Sequence, residues 1–165
     1  MAELVRKICM LGDFGVGKTS LVARFINNVF SEKYVTTIGV KIDTKQLDVG
    51  AQPVKLVLWD IAGKNALDGV KLSYLQGAAG IVLVADGTRE PTLRSALYLL
   101  MQAKQERPDL QAVLLVNKFD LFDRWEVSPT ALADVRRTLP VFESSAQSGE
   151  GVEEAFLTLA KAVLA

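Results

Sequence analysis

The chain has 165 residues, half of them apolar, with 19 basic and 19 acidic side chains and no histidine. That charge balance gives no general pull toward nucleic acid or an anionic membrane. The missing histidines remove the usual general base and the commonest zinc ligand, so any chemistry must rest on carboxylates, lysines, hydroxyls, backbone groups or an oxygen-bound metal.

Short apolar runs alternate with longer amphipathic segments, and the pattern predicts a single domain over residues 1–165. "LVRKICML" (4–11) reads as a strand, with Cys9 buried in it as a small hydrophobe. "KTSLVARFINN" (18–28) reads as a helix with Leu21, Val22, Phe25 and Ile26 on one face. The segments 41–49 and 53–60 predict two strands joined by the hairpin turn "VGAQP". The continuous apolar runs "GIVLVAD" (80–86) and "AVLLVNK" (112–118) predict strands buried on both faces of a parallel sheet. Between them, 92–105 predicts a helix with an inward stripe of Leu93, Ala96, Leu97, Leu100 and Met101, its start marked by Pro91. A helix over 128–139 capped by Ser128, a brief strand "VFES" and a last helix with Val152, Ala155, Phe156, Leu159 and Val163 inward complete the chain.

This alternation predicts an α/β fold with a mostly parallel, doubly wound sheet and helices on both faces. Ligands of such sheets sit beyond the carboxyl ends of the strands, so the loops after strands carry the candidate chemistry. The first, "GDFGVGKTS", satisfies G-x-x-x-x-G-K-[ST] between a strand and a helix. Its successive N–H groups form an anion nest at a helix N-terminus. The candidate phosphate-binding residues there are Phe14, Gly15, Val16, Gly17, Lys18, Thr19 and Ser20. Lys18 can reach terminal phosphates and Thr19 can place its hydroxyl on Mg²⁺.

In the second loop, "WDIAGK", Asp60 is placed to hold Mg²⁺ through a water, and Gly63 can offer its N–H to a terminal phosphate. The third, "NKFD", has a carboxylate at Asp120 able to accept both N1–H and N2–H of guanine, which adenine cannot match. Asn117 can tie this loop to the phosphate loop, and the Lys118 stem can cover the base. The fourth, "SSAQ", includes Ser145, Ala146 and Gln147; the Ala146 N–H can meet guanine O6.

Four such loops in this order resemble the small GTPases of the Ras superfamily. The resemblance runs from Leu4 to about Leu164, and it is Rab-like in "YVTTIGVKI", "WDIAG" and "SYLQGAAGIVLV". It implies a P-loop NTPase fold with a six-stranded sheet, GTP or GDP with Mg²⁺ as cofactors, and Phe30 packed on the guanine edge. It also implies that Thr37 joins Thr19 and Asp60 around Mg²⁺, so that Lys18, Thr37, Gly63 and Lys64 surround the reacting phosphate. The implied partners are an effector reading residues 31–39 and 61–75, together with an exchange factor or an activating protein. Trp59 and Tyr74 match two members of a switch-region aromatic cluster, while Ile42 stands where Rabs usually have phenylalanine.

Two departures fall on the reaction. Lys64 replaces the glutamine that orients the attacking water; a charged lysine has three donors and no acceptor. It is either a solvated side chain or a charge leaning on the γ-phosphate. Phe14 replaces a glycine or small residue where a partner's arginine would enter. Its ring either flanks the γ-phosphate or packs sideways as a lid over the switches. Arg24 and Arg89 do not occupy the position of a cis arginine in this family. The expectation is a slow GTPase switch, the alternative a scaffold that holds nucleotide without turnover. One thiol and no apolar leader fit a cytoplasmic protein. Alanine at position 2 excludes myristoylation, and no prenylatable cysteines end the chain. That ending fits either a chain cut before a lipidated tail, peripheral to membranes when whole, or a prokaryotic-type relative working without an anchor.

Overall fold

The apolar runs become the middle of one twisted sheet. The computed structural model describes residues 2–27, 40–61 and 72–165. Strand β1 (Leu4–Gly12) leads into α1 (Lys18–Asn27), followed by β2 (Val40–Val49), β3 (Gln52–Ile61) and a single helical turn, α2 (Leu72–Leu75). Then come β4 (Ala78–Asp86), α3 (Glu90–Glu106), β5 (Gln111–Asn117) and a 3₁₀ segment, Phe119–Arg124. Helix α4 (Pro129–Arg136), β6 (Val141–Glu143) and α5 (Val152–Leu164) complete the order.

The six strands lie in the order β2-β3-β1-β4-β5-β6. Only β2 is antiparallel, paired with β3 across the hairpin; the other pairings are parallel. Period-two alternation then divides the strand side chains between two cores. On one face Ile8, Met10, Leu58 and Val82 pack with Leu21 and Phe25 of α1 and Phe156 and Leu159 of α5. Phe25 and Phe156 stack there with ring centroids 4.1 Å apart. On the other face Cys9, Leu11, Ile81, Leu83 and Val116 meet Leu93, Ala96 and Leu99 of α3 and Leu132 and Val135 of α4. Each central strand therefore needs apolar residues at every position, which is why β4 and β5 read as continuous runs.

Helix α3 corrects one expectation. Leu93 and Ala96 are buried and Leu97 and Leu100 pack partly against the core, but Met101 is 50% exposed, and Thr92, Leu99 and Ala103 complete the buried row. The cause lies at its first turn, where the Thr92 hydroxyl accepts from the Asp86 N–H at 2.8 Å and donates to Arg89 O at 2.7 Å. Those bonds fix the helix rotation with Thr92 inward and swing Met101 out. Helix α4 starts as expected, the Ala131 N–H donating to Ser128 Oγ at 3.1 Å. It ends at Arg136, earlier than residue 139, with Leu139 buried from a turn.

Candidate functional site

Strands β1, β3, β4, β5 and β6 end on the same side of the sheet, and their following loops form one edge. The loop after β1 wraps the start of α1, as a glycine-rich strand-to-helix turn must. Gly17 holds φ +103°, and a Cβ there would lie 2.3 Å from Asn117 Nδ2. Only glycine admits both that backbone angle and that approach. Asn117, buried at the end of β5, donates from Nδ2 to Val16 O at 2.9 Å and accepts from Ser144 Oγ at 3.3 Å. One side chain thus joins the loops after β1, β5 and β6. Among the described residues no acceptor takes the N–H groups of Val16, Gly17 or Lys18.

Lys18 is buried, its ammonium donating to Gly12 O at 2.9 Å and Asp13 O at 3.3 Å. Burial lowers its pKa, while the carboxylates of Asp60 and Asp13 act the other way. From α1, the Thr19 hydroxyl donates to Asp60 Oδ2 at 2.6 Å. Phe14 is 48% exposed. At the far end of the edge, Ser145 Oγ donates to Asp120 Oδ1 at 2.8 Å, which aims an exposed carboxylate. Arg24 of α1 donates from Nε to Ala146 O at 2.8 Å and also reaches Gln147 O. Its guanidinium therefore holds the fourth loop. Among the described residues the Ala146 N–H has no protein acceptor.

The sequence model of the Ras family matches residues 7–165. Ras-related protein SEC4 of Saccharomyces cerevisiae is 36% identical over 163 residues, 98% of this chain and 76% of that protein. GTP-binding protein yptV2 of Volvox carteri is 37% identical over 164 residues, 96% of this chain and 75% of its own length. Ras-related protein Rab-10 of Diplobatis ommata is 33% identical over 165 residues, covering 98% and 82%.

The chain belongs to the Ras family. It is a Rab-like small GTPase, and the P-loop fold expected from its motifs is the fold observed. Among the described residues no helix is long and apolar enough to cross a membrane.

Ras-family GTPases bind GTP or GDP with Mg²⁺, and the oxygen atoms around Thr19 fit such an ion. Asp60 is buried with its Oδ1 lacking any hydrogen-bond partner among the described residues. Burial raises its pKa, against the Thr19 hydrogen bond and the Lys18 charge, which lower it. An orphaned carboxylate oxygen beside a hydroxyl suits a hard cation. Among the described residues no three His, Cys, Asp or Glu side chains cluster as a metal site. Mg²⁺ does not need such a cage, because it keeps waters and phosphate oxygens around one or two protein ligands.

Several expected site residues lie outside the described residues: Phe30, Thr37, Gly63, Lys64 and the segment 31–39, with 62–71 of the second switch window. Of the aromatic cluster, Ile42 is 52% exposed and pairs in register with Trp59. Lys7 Nζ lies 3.7 Å from the Trp59 ring centroid. The sequence reading missed Asp86, the last residue of β4, which collects Thr88, Arg89 and Lys118 around one buried carboxylate. Its only sequence signal is an aspartate closing an apolar run. The sequence offers Arg24 only as a candidate cis arginine, and its grip on the fourth loop has no local signature.

Proposed function

We propose that this Ras-family GTPase is a guanine-nucleotide switch that hydrolyses GTP slowly. The observation that carries this reading is the joining of three loops through Asn117, with the Asp120 carboxylate aimed by Ser145 and an Ala146 N–H that has no acceptor among the described residues. That donor and acceptor pattern matches the guanine edge and leaves adenine with mismatched groups. Lys118 lines the base side by its stem, Gln147 flanks it, and Phe30 covers the guanine edge. Ser145 acts through Asp120.

The N–H groups of Gly15, Val16, Gly17 and Lys18, with Ser20 behind them, receive the phosphates at the start of α1. The Lys18 ammonium is already oriented by two carbonyls, so little order is lost when it meets a phosphate oxygen. Thr19, Thr37 and Asp60 would hold Mg²⁺, which would supply positive charge to neutralise the terminal phosphates. Gly63 donates its N–H to the γ-phosphate. Lys64 supplies no acceptor for the attacking water, and Phe14 stands at the mouth where a partner's arginine would enter; both slow turnover. Residues 31–39 and 61–75 present the nucleotide state to an effector, and an exchange factor or activating protein sets its lifetime. We place the protein in the cytoplasm, acting as one domain over 1–165.

Chromatography of the nucleotide bound to purified protein, followed over hours with Mg²⁺, tests the reading. GTP decaying slowly to GDP is expected. Unaided turnover as fast as that of a partner-stimulated small GTPase would overturn the slow rate, and ATP competing as well as GTP would overturn the guanine assignment.

A further inference from the structure

Asp86 closes β4 as a buried carboxylate that accepts from the Thr88 N–H at 2.9 Å and the Thr88 hydroxyl at 2.6 Å. It also takes Arg89 Nε at 3.0 Å and Lys118 Nζ at 2.9 Å. Burial pushes its pKa up, but these bonds outweigh it and hold the carboxyl below its usual range. The second arm of Arg89 crosses to the phosphate loop, where Nη2 donates to Phe14 O at 3.1 Å. It lies 3.3 Å from the place a Gly15 Cβ would occupy. One aspartate thus faces two cations, which leaves a net positive charge in the wall between the phosphate loop and the guanine loop. The position of Arg89 is set by a rigid turn, since its own N–H donates to Asp86 O at 2.9 Å.

The Phe14 carbonyl and the Gly15 N–H belong to one trans peptide, so they point in opposite directions. Pinning the carbonyl limits how that peptide can rotate, and so fixes the direction of the Gly15 N–H. We propose that Arg89 is a positioning residue for nucleotide retention: a strap anchored on Asp86 that fixes the Phe14–Gly15 peptide and adds positive charge beside the phosphates. This inference rests on the guanine-nucleotide reading above. It is separate from the chemical step, because the guanidinium is committed to Asp86 and the Phe14 carbonyl. Arg89, which the sequence did not mark as catalytic, thereby gains a role in holding ligand.

The test uses the full chain loaded with Mg²⁺ and fluorescent GDP, then GTP, chased with unlabelled GDP. In Arg89→Gln, release of both nucleotides is expected to be about ten-fold faster, the effect of losing one charge-assisted hydrogen bond. Arg89→Lys keeps the charge but not the fork, so it should recover part of the loss. Added salt should narrow the gap between wild type and Arg89→Gln, because part of the effect is an exposed charge, the side chain being 46% exposed. IDP, which lacks the 2-amino group, should speed up by the same factor as GDP. Release from Arg89→Gln within two-fold of wild type overturns the proposal. So does an Arg89→Lys that releases as fast as Arg89→Gln while both unfold at equally lowered urea concentrations, which makes Arg89 a fold staple only. Wild-type protein that retains no GDP would instead defeat the nucleotide reading itself.

Discussion

Replacing Gly17 by alanine tests the contact on which the site depends. The new Cβ would stand 2.3 Å from Asn117 Nδ2, and the backbone there is at φ +103°. A side chain at such a positive φ costs roughly 1–2 kcal/mol. Displacing the Asn117 amide strands the buried Val16 carbonyl, for about 1–3 kcal/mol more. The sum is about 2–5 kcal/mol, a large share of the stability of a domain this size. Gly50, in the β2–β3 turn, is the control: its φ is +61° and nothing lies within 4 Å of an added Cβ. Gly50→Ala should therefore lose only the backbone part. Urea unfolding, followed by circular dichroism with and without saturating GDP and Mg²⁺, separates the two. Gly17→Ala should lose more stability than Gly50→Ala and also show a smaller gain from GDP, since the N–H nest is distorted with the loop. Equal losses, within about 0.5 kcal/mol, together with an equal gain from GDP, would show that Asn117 does not lock this loop.

Ser145→Ala removes the hydroxyl that aims Asp120; GDP affinity by calorimetry should fall about five- to ten-fold, and an unchanged affinity refutes the aiming role. The pair Phe14→Gly and Lys64→Gln should together raise the single-turnover hydrolysis rate at least about ten-fold. A double variant within two-fold of wild type would clear both residues of limiting the reaction. Burial pushes the Cys9 thiol up to about 11, and its Sγ donates to Tyr74 O at 3.3 Å. Well below its unfolded value of 9.0 the thiol keeps its proton in both folded and unfolded chains, so it adds no pH dependence there. Between about pH 9 and 11 only the unfolded chain releases the proton, and stability should fall by roughly 2–3 kcal/mol. Cys9→Ala should show a shallower fall over that window in urea titrations, and parallel curves refute the assignment.

Much of this protein is legible in one dimension. The strand–helix alternation, the buried pair β4 and β5, and the β2–β3 hairpin all follow from apolar periodicity and turn residues, because burial on one face or two leaves a period in the chain. The motif loops that mark the family are legible too, since G-x-x-x-x-G-K-[ST] and N-K-x-D set their residue types in adjacent positions. Local pattern also placed Ser128 as a helix cap, a bond spanning three residues.

The fold alone decided how those loops meet. Asn117 and Val16 are 101 positions apart, Arg24 and Ala146 122, and Arg89 and Phe14 75. No periodicity carries such pairings; they exist because parallel strands bring their carboxyl ends to one edge. The hydrophobic stripe placed Leu93, Ala96, Leu97 and Leu100 of α3 toward the core, while the inward Thr92 on the Asp86 backbone and the exposed Met101 appear only in the fold. The sequence by itself determined which groups the motif loops carry. Tertiary structure decided which of them share a partner, because a buried carboxylate such as Asp86 gathers whatever cations the fold brings within reach.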